Sequence, residues 1–287
     1  MLLGDEYRPT SFDALTFHPV LTAQLRRVAS THDMPHLLLY GPDGGGKKTR
    51  VTCILRHLYG PLATHLSVDE KTFEYVTPSK RDEIKVTVVA STFHVELNPS
   101  DFGAQDSLVI QELIKDLARG RTINSLGPST LRSHTNAVVS STSTAPTGTV
   151  PTTDHATGQM RAPFSVVVLH DVDRLSKHAQ HALRRTMEKY TAYCRLILVC
   201  RNRTKLIEPL CSRCLLVRVP LPTDDALLAH VQQIAADQHL RAEPALLEQI
   251  VRSARGHIGR ALRRLDTCRL LGTPTAVQVR TQFRIVP

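Results

Sequence analysis

The sequence predicts an α/β fold: a parallel sheet carrying a glycine-rich loop, followed by a small all-helical unit. Three observations carry this expectation. Short aliphatic runs alternate with segments of helical periodicity, the pattern of strands that cross over through helices. The first run, Leu37–Tyr40, leads directly into a glycine-rich turn. Beyond Pro222 only helical periodicity remains.

Taken in order, Leu37 to Tyr40, Val166 to Leu169 and Leu196 to Cys200 are short and apolar without alternation. Each therefore reads as a strand buried on both faces, as in a parallel sheet. Between them, Val109, Ile110, Leu113, Ile114 and Leu117 recur at helical spacing, as do Ala179, Ala182, Leu183, Met187 and Tyr190. Residues from about 120 to 163 are rich in Ser, Thr, Pro and Gly and nearly lack large apolar side chains. Such a stretch cannot bury enough apolar area to offset its ordering entropy, so a disordered surface insertion is expected. Strand character resumes at Ser165, so the insertion is not a domain boundary. After Pro222, Thr223 caps a helix bearing Leu227, Val231 and Ile234. A second helix holds Leu246, Leu247, Ile250 and Val251, and a third follows Gly256 with Ala261, Leu262 and Leu265. The expected organisation is residues 1–221 as the nucleotide-binding domain, 222–271 as a three-helix lid and 272–287 as a tail.

Bulk composition sets the outer limits. The chain has 287 residues, 41% of them hydrophobic, with no Trp and only 5% aromatics. A sizeable core is expected, and it must be mostly aliphatic. The formal charge of +10 favours polyanionic partners, although a basic surface alone can be merely solvated. Six cysteines are too sparse for a disulfide scaffold, and Cys211 and Cys214 have no second pair to complete a zinc site. No apolar run reaches membrane-spanning length and no secretory signal opens the chain. A reduced intracellular protein with no membrane partner is expected.

The chemistry begins at GPDGGGKKT, Gly41 to Thr49. Against GxxxxGK[ST], Gly41, Gly46 and Lys47 match, with Gly44 and Gly45 adding backbone freedom. Such a loop wraps phosphate with its N–H groups, the following helix adds its N-terminal dipole, and Lys47 reaches the terminal phosphates. The alternative is a glycine-rich turn with no ligand. Lys48 stands where Ser or Thr coordinates Mg²⁺, and an ammonium cannot be a metal ligand. Thr49 is one place too late to substitute simply. At the end of the Val166–Leu169 run, where an ATPase places Asp for the metal and Glu for water, the residues are His170 and Asp171, a degenerate Walker B position. Nucleotide (ATP or ADP) without ordinary Mg²⁺ chemistry is the expectation, and no metal site is assigned.

Several segments together resemble the small subunits of replication factor C. They are Tyr7-Arg8-Pro9, PHLLLYGP (Pro35 to Pro42), VELNPSD (Val95 to Asp101), AQHALRRTMEKY (Ala179 to Tyr190) and LCSRC (Leu210 to Cys214). GKKTR, Gly46 to Arg50, is similar to one branch, numbered three or five depending on the naming scheme and known for a degenerate site. The resemblance implies an AAA+ P-loop domain with a helical lid. It also implies a pentameric clamp loader that opens the ring-shaped sliding clamp, proliferating cell nuclear antigen, and places it on primer–template DNA in the nucleus. It places an arginine finger acting in trans on Arg213; on residue chemistry alone Arg213 could simply pair with a surface carboxylate. It further assigns Asn98 as a polar switch between DNA and the catalytic carboxylate, and Tyr7, Arg8 and Pro9 to the neighbourhood of the adenine. Arg184, Arg185 and Lys189 fall on a helix that lines the DNA channel, where the alternative is a solvated charged face. Arg201 replaces the family's Asn after the third strand, and Gly259 replaces a lid arginine, with Arg260 about 100° away on the helix. The family's collar domain has no counterpart in the sequence, so a self-sufficient P-loop ATPase or a truncated remnant stand as the other readings.

Overall fold

The computed structural model describes residues 2–31, 33–76, 81–99, 106–118, 164–191, 193–240 and 242–270. The insertion expected at about 120–163 and the tail 272–287 lie outside the described residues.

The described residues contain one seven-stranded sheet. Its strands are β1 (Leu37–Tyr40), β2 (Ser67–Val76), β3 (Arg81–Ala90), β4 (His94–Leu97), β5 (Ser165–Leu169), β6 (Cys194–Cys200) and β7 (Leu215–Arg218), in the order β2-β3-β4-β5-β6-β1-β7. The strands from β4 to β7 in that order are mutually parallel. β2 and β3 form an antiparallel pair at one edge, and β3 runs antiparallel to β4. The sheet is therefore mixed, not purely parallel as the apolar runs suggest. The reason is chemical: SVDEKTFEYV and RDEIKVTVVA are heavily charged, so neither presents the continuous apolar run that marks a central strand. They belong at an edge, where charge also discourages pairing with another chain.

Alternation along the strands divides the core into two layers. Leu38, Val167, Leu169 and Leu198 face one side and pack with α4 (Asp106–Ala118) and α5 (Lys177–Tyr190) through Val109, Ile110, Leu183 and Met187. Leu37, Leu39, Val166, Val168, Ile197 and Val199 face the other and meet α2 (Pro19–Ala29) and α3 (Lys47–Tyr59) through Leu25, Ile54 and Leu55. Each such leucine contributes roughly 1.5–3 kcal/mol when fully buried. A third cluster joins α7 (Asp224–Asp237), α8 (Pro244–Ala254) and α9 (Ile258–Leu270). Thr223 caps α7, its side chain accepting the Ala226 N–H. Leu3, in the short α1 (Leu3–Glu6), is fully buried in the same cluster, and its N–H donates to Asp266 Oδ2 at 2.9 Å. The chain's start is thus fastened to its last described helix.

β1 lies between β6 and β7. The crevice outside the carboxyl end of such a strand is where open α/β sheets take ligands, and the loop Gly41–Gly46 occupies it.

Candidate functional site

The loop after β1 is shaped by close approaches. Gly41 adopts φ +147°, and a Cβ there would lie 2.1 Å from the Val219 carbonyl oxygen. Gly44, at φ +84°, leaves room for the His257 ring, which a Cβ would meet at 2.3 Å. The Ile258 N–H donates to the Gly44 carbonyl at 3.3 Å. The N-terminal end of α9 therefore rests on the phosphate loop. Gly46 forms the N-cap of α3 in the left-handed region, so the free N–H groups of that helix open toward the loop.

Lys47 is buried, and its Nζ donates to the Gly41 and Pro42 carbonyls at 2.6 and 2.8 Å. Its pKa is lowered, first by burial, against which the nearby carboxylate of Asp43 raises it. Arg50, one turn on, is 2% exposed. It donates to the Gly45 carbonyl from Nη1 and to the Phe17 carbonyl from Nη2, each at 3.0 Å, while its Nε has no partner. Asp43 is paired in turn with Arg201, whose Nε lies 2.9 Å from Oδ2. The residue that follows β6 thus grips the phosphate loop.

Asp43, Lys47 and Arg50 border a cavity of about 330 Å³. Tyr7, Arg8 and Pro9 form part of its wall, with Gly44, Gly46, Lys47, Lys48 and Thr49 on the loop side, Asp171 at the strand end and Gly259 from the lid. The size and the mixture of apolar wall and phosphate cradle fit a nucleotide. Gly259 faces the cavity, whereas Arg260 is exposed and absent from its wall.

His170 points elsewhere. It is buried, and its Nε2 lies 2.9 Å from Glu96 Oε2 on β4. His94 Nε2 approaches the other Glu96 oxygen at 3.6 Å. Burial would raise the Glu96 pKa, but the hydrogen bond with His170 and the nearby His94 bring it down to about 2. A second cavity of about 470 Å³ is lined by Lys48, Glu96, Asn98 and His170. Lys48 therefore stands on the wall between the two cavities. Asp171 has φ +48°, a conformation Asp tolerates, and reaches the first cavity alone.

Arg213 is on another face. Its Nε donates to Glu188 Oε1 at 2.6 Å and its Nη1 to the Pro209 carbonyl at 2.8 Å. Arg184 Nε donates to the same Glu188 oxygen at 3.3 Å. Arg184, Pro209, Ser212 and Arg213 line one shallow cleft. The turn that carries Arg213 is held by Gln180, 1% exposed on α5, whose Oε1 accepts the Ile207 N–H at 2.9 Å. Arg185 and Lys189 are exposed on the same helix, with Lys189 over the Tyr190 ring.

The structure brings Tyr7, Arg8, Pro9, Lys47, Lys48, Thr49 and Asp171 to one cavity, with Asn98 and His170 beyond Lys48. Arg213 and Arg184 stand apart from both. Sequence reasoning missed Glu96, Asp43 and Arg50. Only Arg50 left a trace, as a charged residue one turn after Gly46 on the face that carries Ile54.

No family model matches the chain. Among curated proteins it is 37% identical over 267 residues to the probable replication factor C subunit 3 of Dictyostelium discoideum, covering 93% of this chain and 67% of that protein. It is 35% identical over 274 residues to replication factor C subunit 5 of Oryza sativa, covering 96% and 68%. With the human replication factor C subunit 3 it shares 38% identity over 270 residues, covering 94% and 66%. The chain spans about two thirds of the length of these relatives. Among solved structures, the Thermotoga maritima RuvB Holliday junction branch migration motor superposes with a TM-score of 0.57 at 15% identity, covering 96% of this chain and 72% of that one. That likeness shows a shared AAA+ P-loop fold. With identity of 35–38% over 93–96% of its length, the chain belongs to the replication factor C small subunits.

Proposed function

We propose that this chain works as a subunit of the replication factor C clamp loader and assembles with the other subunits to place the sliding clamp, proliferating cell nuclear antigen, on primer–template DNA in the nucleus. Residues 1–221 act as its nucleotide-binding domain and 222–271 as the lid. ATP or ADP binds in the cavity around Lys47, with Tyr7, Arg8 and Pro9 beside the base. The chain's own hydrolysis is defective: Lys48 replaces a metal-binding hydroxyl, and His170 is held by Glu96. With no glutamate at Asp171, the link from Asn98 to a catalytic carboxylate is broken. Arg184, Arg185 and Lys189 offer phosphate contacts that carry no base sequence information.

The observation that carries this reading is the separation of Arg213 from the chain's own nucleotide cavity. An arginine on the outer face cannot serve the nucleotide beside Lys47, but it suits one held by a neighbouring subunit. Its planar fork is always charged and needs no metal of its own. The test is reconstitution. The chain should co-purify with untagged partner subunits, and the complex should load a sliding clamp on primed DNA. Failure to associate under any nucleotide condition would remove the clamp-loader role.

A further inference from the structure

We infer that this chain holds its nucleotide without a divalent cation, the phosphate charge being met by Lys47 and Lys48. The inference rests on the nucleotide reading above and specifies the form of ligand the site takes.

Mg²⁺ in P-loop sites is held by a hydroxyl on the helix and a carboxylate on the neighbouring strand, and it bridges the phosphates. The donor set of this cavity does not fit that ion. The hydroxyl's place belongs to Lys48, a cation on the cavity wall. The carboxylate's place belongs to His170, whose Nε2 is engaged with Glu96 at 2.9 Å and whose ring is buried. Asp43 is already paired, with Arg201 at 2.9 Å and Lys47 at 3.7 Å. Asp171 and Asp5 are the other carboxylates that line the cavity, together with Lys47 and Lys48. A dication entering there would be repelled by both ammonium groups at short range.

The same arrangement suits bare phosphate. Lys47 already lies against the Gly41 and Pro42 carbonyls, where it can turn to an incoming anion. Lys48 lies on the same wall, at the position that a hydroxyl holds in the GxxxxGK[ST] pattern. Two cations at the loop supply positive charge to a di- or triphosphate that elsewhere needs the metal.

The experiment is a titration of ATP and of ADP into the full chain, in excess Mg²⁺ and in EDTA. The two dissociation constants should agree within about twofold, less than the 1.4 kcal/mol that a tenfold change represents. Lys48→Thr, at an exposed position, should weaken binding in EDTA and make Mg²⁺ tighten it by about tenfold. Mn²⁺, followed by its paramagnetic signal, should show no site-bound ion when nucleotide is added to the parent chain. Binding that requires Mg²⁺ would overturn the inference and leave the nucleotide site standing. Absence of binding in both conditions would overturn the nucleotide reading and the inference together.

Discussion

His170 Nε2 lies 2.9 Å from Glu96 Oε2, linking the end of β5 to β4. The imidazole that stands in a metal-ligand position is thus turned along the sheet and away from the phosphate loop. Because Glu96 receives both His170 and His94, its carboxyl is held at about 2 despite burial.

Removing that carboxylate should be felt in stability. Glu96→Ala leaves the buried His170 Nε2 without its hydrogen-bond partner, which costs roughly 1–3 kcal/mol. The urea midpoint of the variant should fall accordingly at pH 7. Glu96 has a folded pKa below its unfolded value, so its contribution is present above about pH 4.5 and is lost as pH falls toward 2. The difference between parent and variant should therefore shrink in acid. A midpoint unchanged at pH 7 would show that the pair contributes nothing.

A second acid-sensitive group is His36. Its Nδ1 accepts the Leu196 N–H at 3.0 Å, which requires the neutral ring. Burial, aided by the charge of Arg195, lowers its pKa to about 4. The folded pKa lies below the unfolded one, so this contribution is whole above pH 6.5 and is lost as pH falls through 4. The span corresponds to about 3 kcal/mol. His36→Gln retains an acceptor for Leu196 and should flatten the stability profile between those values. An unaltered acid limb in chemical denaturation would contradict the assignment.

The docking of α1 links the lid to the nucleotide wall. Leu3 is fully buried among α7–α9, and Leu3→Ala should cost roughly 2–5 kcal/mol. Since Tyr7, Arg8 and Pro9 follow it into the cavity wall, the same change should weaken ATP binding while leaving the β-sheet signal in circular dichroism intact. Undiminished affinity would mean that the N-terminal segment does not shape the site.

Lys47→Ala should remove most nucleotide affinity, because no other buried ammonium lines the loop among the described residues. The parent chain alone should turn over ATP far below the ordinary enzyme scale of about 1–10³ s⁻¹. Turnover at that scale, abolished by Lys47→Ala, would contradict the silent site.

Much of this architecture is legible in local chemistry. Leu37–Tyr40, Val166–Leu169 and Leu196–Cys200 announce central strands because burial on both faces demands unbroken apolar runs. Gly41 and Gly44 announce the loop because the positions tolerate no Cβ. The lid helices follow from spacing alone. The β2–β3 pair is hidden because charged residues interrupt its apolar ones, although Val86, Val88 and Ala90 of β3 join the core. The site's second layer is hidden for a different reason. Glu96 meets His170 across 74 residues of chain, and Arg201 meets Asp43 only once β6 lies beside β1. No local pattern encodes such pairs, so the departure from the P-loop pattern is visible in Lys48 and His170 while the contacts around them are not.

The most direct test of the account uses Arg213 and Lys47 side by side. In the isolated chain Arg213→Ala should leave ATP affinity unchanged, because Arg213 pairs with Glu188 away from the cavity. In the complex assembled with its partner subunits, the same change should lower steady-state ATP hydrolysis, by as much as 10³–10⁵ at the one neighbouring site it serves, roughly the range known for arginine fingers. Arg213→Lys should recover little, since an ammonium lacks the fork. Lys47→Ala should empty this chain's own site without removing chemistry at the neighbour. An Arg213→Ala complex that assembles and hydrolyses ATP at the parental rate would contradict the account: Arg213 would then be only the structural partner of Glu188.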